Sequence, residues 1–149
     1  MADINFFAGS GPYYDNRCKD FTLALKNSAN KLHQEVEGSK IGDDPYNYYV
    51  PPENWDEAER RVSFVYSMIS KYRKFLHSNQ PLYHFSGMVR RKLAKIERDI
   101  ATREAQIAFD FIGNSDIETM KAEKNELDEI LFIIQNPRNY FEAPHHVKS

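Results

Sequence analysis

Cysteine is almost absent from this chain: among 149 residues there is one, Cys18. A single cysteine excludes an internal disulfide framework and a Cys-rich zinc site. Long hydrophobic runs are missing, and none approaches the ~18 residues of a membrane span, so no membrane partner is expected. Charge of one sign is not in excess either. Lys plus Arg is 20 and Asp plus Glu is 22, a net of −2, so no whole-chain bias points to nucleic acid or to an anionic surface. The first residues carry no signal-peptide pattern, and the expected location is the cytoplasm or a virion.

Signatures of catalysis are missing as well. There is no HExxH and no GxSxG. Gly9-Ser10-Gly11-Pro12 superficially resembles a phosphate loop but lacks the later glycine and the Lys-Ser/Thr ending. Asp43 and Asp44 lie in a turn-forming stretch, where paired acids serve the backbone more often than chemistry. Cys18 falls on an apolar helical stripe and is expected to be buried and inert. His33, His77 and His84 are isolated in sequence, and the adjacent His145 and His146 do not converge on one ion. They suit an exposed polar tail. The expectation is a protein that is not an enzyme, with no cofactor and no metal.

Helical periodicity is plentiful, and it predicts an all-α fold. Residues 1–17, broken by Gly9, Gly11 and Pro12, form an N-terminal arm without period. A bundle domain over 18–136 follows, then a C-terminal arm over 137–149. Within the bundle, Cys18, Phe21, Leu25, Leu32 and Val36 step by threes and fours, and Gly38 ends that helix. Residues 39–53 form a long irregular connection, broken by Gly42, Pro45, Pro51 and Pro52. Val62, Val65, Ile69, Tyr72 and Leu76 make one continuous helix of 54–79. Val89, Leu93, Ile96, Ile100, Ile107 and Phe111 make another of 86–112. Ser115 to Glu118 has the capping-box pattern and opens a fourth, ended by Asn136-Pro137.

The very short turn at Gly113-Asn114 makes the last two helices an antiparallel hairpin, on which an elongated bundle of about four helices is built. Residues 86–112 carry a net of +2 and residues 114–136 a net of −4. The simplest reading is that these charges pair across the hairpin. Arg103 and Lys124 interrupt the apolar stripes, and Lys124 is expected to snorkel or to pair with an acid of the neighbouring helix such as Asp99 or Glu104.

Two features point to binding. The segments without helical period are rich in aromatics: Phe6, Phe7, Tyr13 and Tyr14; Tyr46, Tyr48 and Tyr49; Tyr140 and Phe141. Large rings of this kind pack on their own bundle or on a partner. Taken as partner-binding, they predict a structural adaptor that docks into a larger homo- or hetero-oligomer of protein subunits. The architecture is similar to that of small connector subunits of viral particles, an analogy that transfers no residue. The alternative rests on a cluster at residues 71–98: Lys71, Arg73, Lys74, Arg90, Arg91, Lys92, Lys95 and Arg98, opposed only by Glu97. With His77, Tyr83, His84 and Phe85 among them, these cations suit a small accessory protein that binds nucleic acid, or an acidic partner surface.

Overall fold

The apolar stripe that begins at Cys18 forms helix α1, Cys18–Ile41, and the stripe is buried from Cys18 to Val36. This helix does not stop at Gly38. Ser39 Oγ bonds back to the carbonyl of Glu35 at 2.8 Å and accepts the N–H of Val50 at 2.6 Å. Tertiary hydrogen bonds thus carry the helix through a residue that otherwise favours its end. The computed structural model describes residues 16–41, 50–110 and 115–145. Every element among them is helical, and no strand is present among the described residues. None of these helices is long and apolar enough to cross a membrane.

After a 3-10 turn at Pro52–Asn54 comes α2, Trp55–Lys71. It runs antiparallel to α1. Tyr66 donates its hydroxyl to Asn30 Oδ1 at 2.7 Å, and His33 Nδ1 pairs with Glu59 Oε1 at 3.0 Å. The expected continuous helix of 54–79 is interrupted at Tyr72, whose φ of −108° and ψ of 34° leave the helix, and the four-residue α3, Arg73–Leu76, follows. No proline or glycine marks the break. Packing produces it: Tyr72 and Phe75 both set their rings against Phe85, at 5.5 and 6.1 Å. The carbonyl of Leu76 accepts the buried Thr22 hydroxyl at 2.7 Å.

The next helix, α4, spans Leu82–Asp110, so it begins directly after Pro81 and earlier than Ser86. Its start is tied to the start of α1. Cys18 N–H bonds to the carbonyl of Gln80 at 2.8 Å, and Leu82 N–H to that of Asn16 at 2.6 Å. At 1.5 Å per residue, α4 is about 43 Å long. It runs antiparallel to α5, Ser115–Gln135. Beyond Asn136 the chain is not an irregular arm. Pro137–Glu142 forms α6, with Pro137 in the first turn where its missing N–H costs nothing, and a 3-10 turn covers Ala143–His145.

One core joins these helices. It takes Phe21, Leu25 and Leu32 from α1, Val62, Val65 and Met68 from α2, and Leu76 from α3. From the later helices it takes Phe85, Val89, Leu127, Ile130, Ile134, Tyr140 and Phe141. Between Val89 and Leu127 the core gains only the partly buried Leu93 and Ile96. Among the described side chains of residues 97–126, Ile100 and Ile117 alone are buried.

Candidate interaction surfaces

The aromatic residues proposed for docking divide into two groups. Phe6, Phe7, Tyr13, Tyr14, Tyr46, Tyr48 and Tyr49 lie outside the described residues. Tyr140 and Phe141 are core residues of their own chain, 2% and 6% exposed, which corrects their assignment to a free arm. The reason is amphipathic α6. It turns both rings onto the bundle in an edge-to-face pair at 5.4 Å, and Phe132 approaches Tyr140 at 6.2 Å.

Polar bonds lock this segment down. The Tyr140 hydroxyl donates to Glu129 Oε2, and the Tyr140 carbonyl accepts Arg61 Nη1 at 2.7 Å. The Arg61 guanidinium also lies over the Tyr140 ring at 4.9 Å. Glu129 accepts Arg60 Nη2 at 2.9 Å, and Arg60 and Arg61 both reach Glu57, at 3.1 and 2.7 Å. Glu57, Arg60, Arg61, Glu129 and Tyr140 therefore close a ring of charge-assisted hydrogen bonds. Burial, followed by the bond to Glu129, holds the Tyr140 phenol far above its ordinary range. The Glu57 carboxyl is held low, chiefly by its bond to Arg60.

His145 is not part of an exposed tail. Its Nε2 meets Glu35 of α1, whose side chain is 10% exposed, and the neighbouring Pro144 carbonyl accepts the Asn54 amide. The bond to Glu35 raises the His145 pKa against the opposing effect of burial. His146 lies outside the described residues.

The basic cluster is spread over three elements. Lys71 is neutralised within the fold: its Nζ bonds Glu126 at 3.0 Å, which raises its pKa. Arg73 and Lys74 are exposed on α3. The remainder lie on α4. Arg90 donates to Ser86 Oγ at 3.4 Å, and Lys95 pairs with Asp99 at 3.1 Å. Arg91, Lys92 and Arg98 are exposed and make no hydrogen bond or ion pair with a described residue.

Pairing between α4 and α5 has the expected polarity in one case and the reverse in two. Three ion pairs join α4 and α5: Arg103 with Asp116, Lys121 with Glu104 at 3.3 Å, and Lys124 with Glu97 at 3.8 Å. In two of the three the cation belongs to the acidic helix. Lys124 thus meets an acid of the neighbouring helix, Glu97 and not Asp99 or Glu104, and also bonds Asp128 of its own helix at 2.9 Å. The helix-level charge difference is thus not what pairs the two helices, and the cations of 90–98 stay on the outside.

Gly87 adds a feature not evident in the sequence. It sits inside α4, where glycine costs about 1 kcal/mol relative to alanine. A Cβ at this position would meet only Arg91 Nη1, at an ordinary 3.5 Å. The chain's own packing therefore has no need of glycine here, and the Arg91 guanidinium lies back over the gap it leaves.

Two further groups carry nucleophilic or ligand-type atoms. Cys18 is 1% exposed, and burial raises its thiol pKa, which suits a structural role. His33 is not isolated in space. With Glu37 and Glu59 it brings three ligand-type atoms within 4.8 Å of one another, with His33 and Glu37 both open to solvent. Spacing of four residues on α1 aligns His33 with Glu37, but no sequence signal links them to Glu59. His33 is already bonded to Glu59, and Glu37 approaches Lys40 at 3.7 Å. Comparison of the chain with protein-family models, with curated proteins and with solved structures returned no match.

Proposed function

We propose that this chain is a non-enzymatic adaptor that takes its place in a larger protein assembly, homo- or hetero-oligomeric, through its α4–α5 hairpin. In this reading the fold is an elongated four-helix bundle from which the hairpin extends. One observation carries it: the thinness of the hairpin beyond the core. Residues 97–126 bury only Ile100 and Ile117 among their described side chains, and apart from the bond of Glu126 to Lys71 at the root their ion pairs are all made within or between these two helices. Ile107 and Met120 on the same seam are half-exposed. Helices draw most of their stability from tertiary packing of an apolar face. A partner's helices laid along this seam would supply the missing cover.

The aromatic residues Phe6, Phe7, Tyr13, Tyr14, Tyr46, Tyr48 and Tyr49 enter this proposal on their sequence alone. Tyr140 and Phe141 leave it, because they are occupied within the fold. The test is light-scattering mass over a range of protein concentrations, with hydrogen exchange followed in parallel. The expected result is that amide protection of residues 97–126 rises in step with mass. If a hetero-partner supplies the cover, the free chain is a monomer in which this stretch exchanges quickly. A monomer whose 97–126 amides are as protected as those of α1 and α2 would overturn the proposal.

A further inference from the structure

We infer that the solvent-facing side of α4 between Tyr83 and Arg98 is a binding surface for the phosphate backbone of duplex nucleic acid. This goes beyond the adaptor reading and rests on different residues. His84, Gly87, Arg91, Lys95 and Arg98 follow one another at three- and four-residue steps and share one side of the helix. Phe85, Val89, Leu93, Ile96 and Ile100 occupy the opposite side, toward the core and α5. The basic side is thus exposed by the register of the helix itself.

Three observations favour phosphates as the ligand. First, the cations are not consumed internally: Arg91, Lys92 and Arg98 are exposed without a partner among the described residues, and the cross-hairpin pairs use other residues. Secondly, no acidic residue occurs from Leu82 to Ile96. Lys95 is the only member of the row with an anionic neighbour, Asp99, and that pair is exposed on both sides. Thirdly, the row is smooth. Gly87 and Ala94 alternate with the basic residues, so no bulky neutral side chain stands between His84, Arg91 and Arg98.

The span from Tyr83 to Arg98 is about 22 Å, along which duplex DNA presents a charge roughly every 1.7 Å of axis. The face favours a duplex over a single strand. A single strand requires a succession of stacking rings, whereas here one ring pair, Tyr83 on His84 at 4.6 Å, stands at one end. No Asn or Gln lies between Tyr83 and Arg98 to read adenine, and binding is expected to rest mainly on the phosphates.

The experiment is fluorescence anisotropy of the full chain with a labelled duplex of about 20 base pairs and mixed sequence, as DNA and as RNA, over a salt series. Three or four phosphate contacts predict an affinity loss of about 40- to 150-fold between roughly 50 and 200 mM salt. Arg91→Glu combined with Arg98→Glu should weaken binding at low salt by about tenfold or more and flatten the salt slope by about two contacts. Both side chains are exposed, and circular dichroism should find the helix content unchanged. Gly87→Ala should make the helix more stable and leave binding nearly unchanged, because the added Cβ meets only Arg91 at an ordinary 3.5 Å. A control of equal charge change on α1, Lys19→Glu with Lys31→Glu, should bind nearly as the parent does.

Any of the following would overturn the inference: no binding at low salt, a control that loses as much as the α4 variant, or competition by polyglutamate as effective as by unlabelled duplex. The last would make the surface a site for an acidic protein. A loss of oligomer mass in the α4 variant with duplex binding intact would do the same. The adaptor reading survives each of these results, since it is judged by mass and hydrogen exchange over residues 97–126.

Discussion

If α6 is a strap that completes the fold, replacing Tyr140 should cost stability in two separable steps. Tyr140→Phe keeps the ring and removes the hydroxyl that donates to Glu129. A hydrogen bond to a charged group contributes about 1.5–3 kcal/mol. Glu129 keeps its bonds to Arg60 at 2.9 and 3.3 Å, so its charge stays paired and the cost falls at the low end, about 1.5 kcal/mol. For a chain of 149 residues, each kcal/mol moves Tm by about 2–4 °C, and the expected drop is roughly 3–6 °C. Tyr140→Ala also empties the space of a buried ring and removes the stack on Arg61 and the contacts with Phe132 and Phe141. Losing a large buried side chain costs about 3–5 kcal/mol, which corresponds to roughly 6–20 °C. Thermal denaturation of the parent and both variants, with the mass of each measured beforehand, decides the matter. A Tyr140→Ala protein that melts within about 2 °C of the parent but loses oligomer mass would refute the strap. It would return Tyr140 to the partner-facing role that its position near the end of the sequence suggests.

Three further outcomes follow from the same contacts. The pKa of His145 is raised by Glu35, so its contribution is fully present below the ordinary histidine pKa and is lost as pH rises through the raised value. The groups facing it are Glu35 on α1 and Glu142 on α6, and His145→Gln should destabilise clearly at about pH 6 and very little at about pH 9, read as Tm against the parent. Cys18 is buried with a raised pKa, so it should resist a thiol reagent in the native protein and react at once in urea; prompt native labelling would contradict the packing of α1 on the 78–82 connection. Thr22→Val should cost about 1–3 kcal/mol, because it strips the buried carbonyl of Leu76 of the 2.7 Å bond it now accepts, and a neutral result would mean that water replaces the hydroxyl.

Much of the helical layout was legible because apolar periodicity is a local signal. The stripe Phe21, Leu25, Leu32 and Val36, and the stripe Val62, Val65 and Ile69, lie in the sequence and are buried in the fold. The discrepancies arise where a distant residue decides. Gly38 looks like a stop until Val50 returns to bond Ser39. Tyr72 continues the stripe of α2, and only the ring of Phe85 reveals why the helix breaks there. The segment from Pro137 to His145 is too short and too proline-rich to declare itself a helix. Its order comes from Glu129, Arg61, Asn54 and Glu35, none of them near it in the spacing of a local motif. The basic cluster was visible as composition. Its division into Lys71, neutralised by Glu126, and an α4 row left in solvent depends on where α5 runs.

The two proposed surfaces share a root, which gives them a common mechanical logic. α5 is fixed to the body close to Glu126 and Glu129, by Lys71 at 3.0 Å and by Arg60 at 2.9 Å, with Tyr140 adding a third bond. α4 is fixed at its start by the bonds of Leu82 to Asn16 and of Cys18 to Gln80. Between Ile96 of α4 and Leu127 of α5 no described residue joins the shared core, so the direction of this part of the two helices follows from where they leave the body. Holding a long element rigidly at one end leaves its length free for a partner and its orientation already defined, which lowers the ordering cost on binding. The row from His84 to Arg98 lies beside that root, where the helix is best held. Cations placed there stand on a stretch of helix packed against the core, so they keep their spacing without help from a ligand. On this argument, loosening the root with Tyr140→Ala at a temperature where the protein stays folded should raise hydrogen exchange along residues 97–126 before it weakens duplex binding by α4. The reverse order would mean that the two surfaces do not share this support.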